Sequence, residues 1–578
     1  YKIIPILLLF FTVGVFGQNE FYYTLNYKKN NLVPTEKTSI QFETSGALEN
    51  YLSIQNNEKF TKINYNTITL NNEVFRSQSN YFLNKDFFKY EVKKTKDGLE
   101  LITTNQIVCK ANYNSIQASR NILGELNYEV LAKKGYKNRF IIKINTPNID
   151  IIKLANQLYE TNEFKYCYPN FISKLDFNNS KIDNKNIKLN NNYIENNKKE
   201  ALTDFPNDEY FYKQFYLHNT GQELNDGHFG TPGADIKALQ AWDITKGNLE
   251  IIVAVIDEGV TSNHPDLPNS RQVRLNGSNF SGIGSPNDPS PTGNGNHGNA
   301  CAGIIGAEQN NGQGITGISP NSKIMPIKIF GSASNNDIAN AIEFAYINGS
   351  NVISNSWGYN SSNPNLFPAI IDEIENAINN NSLVVFASGN TANHVNNNNG
   401  YVNFPANNGN IDGLICVGAS NRNDQQANYS PTNSLIEVVA PSHNAYPSQI
   451  TGESFEIWTI DIPNTGGYNP CNANCASPRV FHELLPSSGI NYQSYTGRMG
   501  GTSASCPEVA AVAALLLALN TNLSPVEVEN IIKSSADKVG NYNYIDGKSD
   551  EMGFGRLDAY QAVLMAQSSG CSIDRPIT

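Results

Sequence analysis

Between residues 251 and 417 the chain alternates short apolar runs with helix-length segments. That alternation narrows the fold more than any other feature. Residues 251–256 are an unbroken apolar run, the pattern of a strand buried on both faces of a parallel sheet. Residues 324–329, 351–354, 383–387 and 414–417 repeat the pattern less purely. Helical spacing occupies residues 336–348, 367–379 and 506–519. A further helix is signalled by Ser524-Pro525-Val526-Glu527, a capping box with proline at the first helical position. Strands alternating with helices predict an α/β fold, a mostly parallel central sheet with helices on both faces.

The rest of the chain reads differently. Residues 1–17 carry Lys2, a near-continuous apolar stretch to Phe16, and small residues at Val15 and Gly17. This is the pattern of an export signal cut after Gly17, and it is short of the roughly 20 residues of a spanning helix. Residues 18–175 form an N-terminal region of short β-rich runs. Its best-patterned part is a strand at 139–144, helical spacing at 149–159 and a strand at 164–171, a small α+β unit over about 124–173. Residues 176–203 are dominated by Asn and Lys. Such a stretch buries too little apolar surface to offset its ordering entropy, so it reads as an exposed, cleavable linker. The main domain is expected over 204–568, with a long polar and aromatic insertion at 443–499 and a tail at 569–578.

Net charge is −11, which disfavours a nucleic-acid surface. No later run reaches about 18 uninterrupted apolar residues, so no membrane partner is expected for the mature chain. Export permits disulfides among the eight cysteines. No CxxC pair occurs, which argues against a zinc site, and Cys471 with Cys475 is the expected bridge.

Three positions carry chemistry. Asp257 ends the first apolar run, where α/β sheets place function. His297 opens a helical run after a Gly/Asn/Pro-rich loop, and Ser503 lies in Gly500-Gly-Thr-Ser-Ala-Ser-Cys-Pro507 just ahead of an apolar helix. Alone, they read equally well as a turn aspartate, a helix-cap histidine and an N-cap serine. Together they follow the order Asp, His, Ser, one of the known catalytic-triad orders, and the helix N-terminus after Ser503 favours a developing oxyanion.

The motifs around these residues resemble the subtilisin family of serine peptidases. Val253-Ala-Val-Ile-Asp257 with His264-Pro-Asp-Leu267 is similar to the family's aspartate motif. His297-Gly-Asn-Ala-Cys-Ala-Gly303 stands for HGTHVAG or HGTHCAG, and Gly501-Thr-Ser-Ala-Ser-Cys-Pro-Glu-Val-Ala-Ala511 for GTSMASPHVAG. The departures are Asn299, Ala300, Cys506 and Glu508. The resemblance is closer to the thermitase-like bacterial branch than to furin/kexin convertases. It implies a three-layer fold and a secreted, self-processed serine endopeptidase acting on polypeptides. Asp257 orients His297, His297 activates Ser503, and Asn390 in Val384-Val-Phe-Ala-Ser-Gly-Asn390 supplies the oxyanion amide. It further implies a substrate pocket walled by Ser356, Trp357, Gly358 and by Ala387, Ser388, Gly389. No carboxylate lies in these walls or in Asn403-Phe404-Pro405 at the expected base, so a neutral pocket is expected.

The same resemblance implies structural Ca²⁺ held by Asp208, Asp266 and Asn310, against the alternative of three solvated polar loops. It also implies that the unit before the linker is a propeptide that inhibits and templates its own domain. Cys301 and Cys506 read either as free thiols or as partners of other cysteines. The competing functions are a catalytically inactive binding protein and an esterase using the same residues.

Overall fold

The computed structural model of the 578-residue chain describes residues 21–23, 29–42, 60–62, 67–71, 87–112, 117–131, 139–176, 205–224, 228–293, 295–445, 455–463, 467–469, 486 and 491–570. The export signal, all but Asp176 of the Asn/Lys-rich stretch and the Cys471/Cys475 pair lie outside the described residues, as does most of the C-terminal tail.

The N-terminal unit is an antiparallel sheet centred on β1 (Glu100–Ala111), which pairs with β2 (Arg139–Ile144) on one side and β3 (Phe164–Ile172) on the other. Helix α1 (Ile151–Tyr159) covers one face with Ile151, Leu154, Ala155 and Leu158. The helix begins at 151 rather than 149 because the Asp150 side chain caps it, accepting from Lys153 N at 2.9 Å. The unit also reaches further upstream than residue 124. The run Thr103-Thr-Asn-Gln106 conceals β1 from a hydropathy reading, yet several of its polar side chains bond within the sheet. Thr104 Oγ1 donates to Asn170 O at 2.7 Å, and Asn105 Nδ2 to Ile144 O at 3.0 Å.

The main domain has the α/β order expected. In sequence come β4 (Ile252–Asp257), α2 (His297–Gly306), β5 (Lys323–Lys328), α3 (Asn335–Ile347), β6 (Val352–Asn355), α4 (Pro368–Asn379), β7 (Leu383–Ala387), β8 (Leu414–Ser420) and β9 (Val438–Pro441). These six strands form one parallel sheet in the order β5-β4-β6-β7-β8-β9. Then follow β10 (Ile457–Ile460), β11 (Tyr495–Met499), α5 (Thr502–Leu519), α6 (Pro525–Ser535) and α7 (Ala559–Gly570). The pleat sorts β4 between two cores. Val253 and Val255 face the layer containing α2, α5 and α7, while Ala254 and Ile256 face α3 and α4. Helix α5 is apolar on all sides because it is buried on all sides.

Strands β10 and β11 pair antiparallel within the predicted insertion and dock on α2, where Thr459 Oγ1 donates to Ala300 O at 2.7 Å. A Cβ at Gly303 would lie 2.5 Å from that hydroxyl oxygen, so this close approach requires glycine. The described part of the insertion is therefore built into the core.

The N-terminal unit packs on α3 and α4. Phe171 meets Phe367 at 6.4 Å between ring centroids, and Asn335 Nδ2 donates to Phe171 O at 3.2 Å. Buried Arg139 pairs with Glu343 at 3.2 Å and Glu373 at 3.5 Å, and both Lys110 and Lys165 reach Asp372. Asp372 and Glu373, which lie between the two expected pocket walls in sequence, are thus engaged by the cations of the N-terminal unit.

Candidate active site

Asp257 is the last residue of β4 and is fully buried. Its Oδ1 accepts from Glu258 N at 2.7 Å, and both carboxylate oxygens meet His297 Nδ1, at 2.9 and 3.0 Å. The backbone N–H of His297 donates to Glu258 Oε2 at 3.0 Å, so this histidine is held at its ring and at its helix end. Burial alone would lower the His297 pKa. The Asp257 carboxylate, assisted by Glu258, outweighs that and holds it above the ordinary histidine value. Asn299 clamps the two catalytic segments together, accepting from Thr261 N at 2.7 Å and donating to Thr261 Oγ1 at 2.8 Å.

Ser503 lies in the first turn of α5, which starts at Thr502 and runs through Pro507. Helical spacing alone predicts a start at Cys506, four residues later than the structure has it. The structure resolves the cost of the internal proline. Pro507 has no N–H to give the Ser503 carbonyl, which accepts instead from Ser356 Oγ at 2.9 Å and from Cys301 Sγ at 3.7 Å. In return Ser503 Oγ donates to Ser356 O at 3.2 Å. Ser503 is therefore tied at both its carbonyl and its hydroxyl to Ser356, just after β6.

Asn390 faces the same turn. Its Oδ1 accepts from Thr502 N and Thr502 Oγ1, both at 2.9 Å, which fixes the amide orientation beside the helix N-terminus. Thr502 was not singled out from the sequence, although it stands inside the serine motif. His443 was missed as well. It is fully buried, and its Nδ1 accepts from Gly501 N at 3.0 Å, directly ahead of the nucleophile helix. A Cβ at Gly500 would sit 2.1 Å from that nitrogen. Burial, with Arg422 nearby, pushes the His443 pKa down to about 3, so it stays a neutral acceptor. Nothing in the local sequence marks this histidine, because its partner lies 58 residues away.

Ser356, Trp357 and Gly358 follow β6, while Ala387, Ser388 and Gly389 continue from β7. Asn403 lies between these segments: its N–H donates to Ser388 O at 2.9 Å, and a Cβ on Gly389 would meet its side chain at 2.6 Å. The Trp357 indole turns into the core against Phe386, so this residue offers only its backbone to the groove. Asp176, at the end of the N-terminal unit, pairs antiparallel with Gly358: Asp176 N donates to Gly358 O at 2.9 Å. Cys301 and Cys506 are both buried free thiols, with Cys301 Sγ 3.8 Å from His297 Nδ1. Burial raises the Cys301 pKa well above that of a free thiol and pushes that of Cys506 up to about 11.

Away from this centre, Asp208 and Asp266 converge on the loop after α2. Asp208 accepts from Asn310 N at 3.0 Å, and Asp266 from Ile315 N and Asn311 Nδ2, both at 2.9 Å. Asn310 itself does not fit the expectation. It takes a left-handed backbone (φ 64°) and its Oδ1 accepts from Asn207 N, so the neighbouring Asn311 is the side chain that meets Asp266. Burial pushes Asp208 up to about 6 and Asp266 to about 7.

The profile of the Subtilase family matches residues 248–555. The chain is 31% identical over 397 residues to the calcium-dependent protease of Trichormus variabilis, covering 64% of this chain and 53% of that protein. It is 30% identical over 331 residues to thermitase of Thermoactinomyces vulgaris, covering 57% of this chain and 93% of thermitase. The chain thus spans about half the length of the first of these relatives. The fold is similar to the crystal structure of fervidolysin from Fervidobacterium pennivorans, with a TM-score of 0.53 at 21% identity over 81% of this chain and 62% of that one. A profile match over more than half of the chain, laid on the Asp257, His297 and Ser503 segments, identifies it: the chain belongs to the subtilase family.

Proposed function

We propose that the chain is a secreted serine endopeptidase made as a zymogen, whose N-terminal unit occupies the substrate groove until it is cut. The observation that carries this reading is the Asp257–His297 pair set beside the N-terminus of the Ser503 helix, with the Asn390 amide fixed by Thr502. Ser503 Oγ turns from Ser356 O, attacks the peptide carbonyl and gives its proton to His297 Nε2. Asp257 keeps the imidazole in the required tautomer and stabilises the imidazolium. The Asn390 amide and the Ser503 N–H receive the oxyanion. The imidazolium then protonates the leaving amine, and water releases the acyl group by the same route. Labelling by a fluorophosphonate at Ser503 together with casein hydrolysis tests the reading; labelling without peptide hydrolysis would favour an esterase.

Because only neutral His297 accepts the proton, activity rises with pH as the imidazolium deprotonates. The raised pKa places that rise above pH 6.5, the ordinary histidine value. A pH profile of kcat/KM checks this, and a rising limb near pH 4 contradicts it. The pocket walls contain no carboxylate, so peptides with an apolar or aromatic residue at the cleaved position are expected to outrun those with Arg or Lys. A substrate panel led by Arg overturns that expectation.

The antiparallel pairing of Asp176 with Gly358 supports inhibition by the N-terminal unit, since it takes the backbone position that a substrate strand would use. Processing is expected shortly after Asp176.

Asp208 and Asp266 suit a structural Ca²⁺. Both carboxylates are buried and held near neutral pKa, and neither forms an ion pair with Lys or Arg among the described residues. A divalent cation relieves that strain with oxygen ligands from separate loops, to which Asn311 would contribute. One of the relatives above is named for calcium dependence. Chelation is expected to lower the melting temperature by roughly 5–10 °C. An Asp266→Asn chain should no longer respond to calcium. A melting temperature indifferent to chelator in the unmodified chain would overturn the site.

A further inference from the structure

We propose that Cys109 and Cys167 are joined by a disulfide that locks the last strand of the N-terminal unit to its central strand. The two residues are direct partners in the antiparallel register of β1 and β3. Opposed residues of an antiparallel pair hold their Cα atoms at about 4.5–5.5 Å, within the range a disulfide spans. Their sulfur atoms already lie 2.7 Å apart, about 0.7 Å beyond a formed S–S bond. Both side chains are fully buried, in the cluster that packs beneath α1 with Ile107, Leu154 and Phe164.

The position of the pair gives the bond a task. Register shifts flank Cys167 on both sides, one between Phe164 and Tyr166 and one between Pro169 and Phe171. Two irregularities in a nine-residue strand interrupt its backbone pairing on either side of Cys167. A covalent tie between them sets the register of β3. It thereby fixes the reach of the chain that continues from β3 to Asp176 at the substrate strand. The tie also closes a long loop, with 58 positions separating the cysteines, and so restricts the unfolded state.

The bond forms by thiol–disulfide exchange with an oxidant disulfide such as glutathione disulfide or the active-site disulfide of a dithiol oxidase. One cysteine thiolate attacks the oxidant, giving a mixed disulfide and releasing one oxidant thiol. The second cysteine then displaces the other oxidant thiol. The two cysteine thiols are oxidised by two electrons, the oxidant disulfide is reduced to two thiols, and the two protons lost from the cysteines end on those thiols. Burial raises the Cys167 thiol pKa in the folded unit, which suppresses the attacking thiolate. The exchange therefore belongs to folding, before the pair is covered.

In the cell the bond rests on the export reading, because an oxidising compartment is needed. The test separates the two. The full chain carrying Ser503→Ala, to prevent self-cutting, is refolded in a glutathione redox buffer, unfolded in iodoacetamide without reduction, digested and mapped by mass spectrometry. The expected result is a crosslinked peptide joining Cys109 to Cys167, with Cys301, Cys416 and Cys506 alkylated. Added dithiothreitol should lower by roughly 10 °C the temperature at which the N-terminal unit becomes protease-sensitive. It should have no such effect on a Cys109→Ser/Cys167→Ser chain. Alkylation of both cysteines, or a crosslink of either to another cysteine, overturns the proposal. A bond formed in the redox buffer but absent from chain recovered from cells would count against export and leave the pairing standing.

Discussion

Replacing Ser503 with alanine is expected to reduce peptide hydrolysis by about five to six orders of magnitude and to leave the precursor uncut. The size follows from what is lost. Without Oγ no acyl-enzyme forms, and the remaining oxyanion donors and groove retain only the residual rate of a bound, polarised peptide. The fold should survive the change. Ser503 Oγ makes one hydrogen bond, to Ser356 O, while the reverse bond from Ser356 Oγ to the Ser503 carbonyl does not involve the deleted atom. Casein hydrolysis, fluorophosphonate labelling and the size of the recovered chain measure the three consequences. Normal processing of this variant in cells lacking other proteases would refute self-cleavage, and activity near that of the unmodified chain would refute the triad.

The parts of this site legible in the sequence are those where chemistry and secondary structure share a short segment. Asp257 ends a pure apolar strand and His297 opens a helix, so pattern and residue type coincide. The supporting residues were not legible, because their partners are remote. The Ser356–Ser503 exchange spans 147 positions, and the link from His443 to Gly501 spans 58. Helix α5 shows the limit of local rules. Helical spacing suggests a start at Cys506, yet tertiary donors satisfy the carbonyl that Pro507 abandons, so the helix begins four residues earlier. Asn310 and Asn311 show another limit. Adjacent identical residues carry no signal of which one turns toward Asp266, and only the left-handed backbone at Asn310 decides it. Strand β1 was hidden by its polar centre, whose side chains bond within the sheet.

Glu508 should make the domain lose stability as pH rises, and Glu508→Gln should remove that loss. The residue lies in α5 five positions after Ser503, where the subtilisin-like motif has histidine. It is fully buried, and neither carboxyl oxygen has a hydrogen-bond partner among the described residues. Burial raises its pKa well above the ordinary glutamate value of 4.5. The folded chain therefore keeps a proton that the unfolded chain has released, so stability is greatest below pH 4.5 for this group and falls as pH increases. The loss is about 1.4 kcal/mol per pH unit for as long as the carboxyl stays protonated in the fold. Glutamine keeps the shape and cannot ionise. The two chains should then be nearly equal in stability at pH 5 and diverge as pH rises. Denaturant unfolding across that range, in a Ser503→Ala background to prevent autolysis, isolates the effect, because every other titrating group is common to both chains. Parallel stability curves would mean that Glu508 ionises in the fold at no cost and finds a partner when it does. A diverging pair would identify one carboxyl behind Ser503 as a limit on the alkaline stability of this domain.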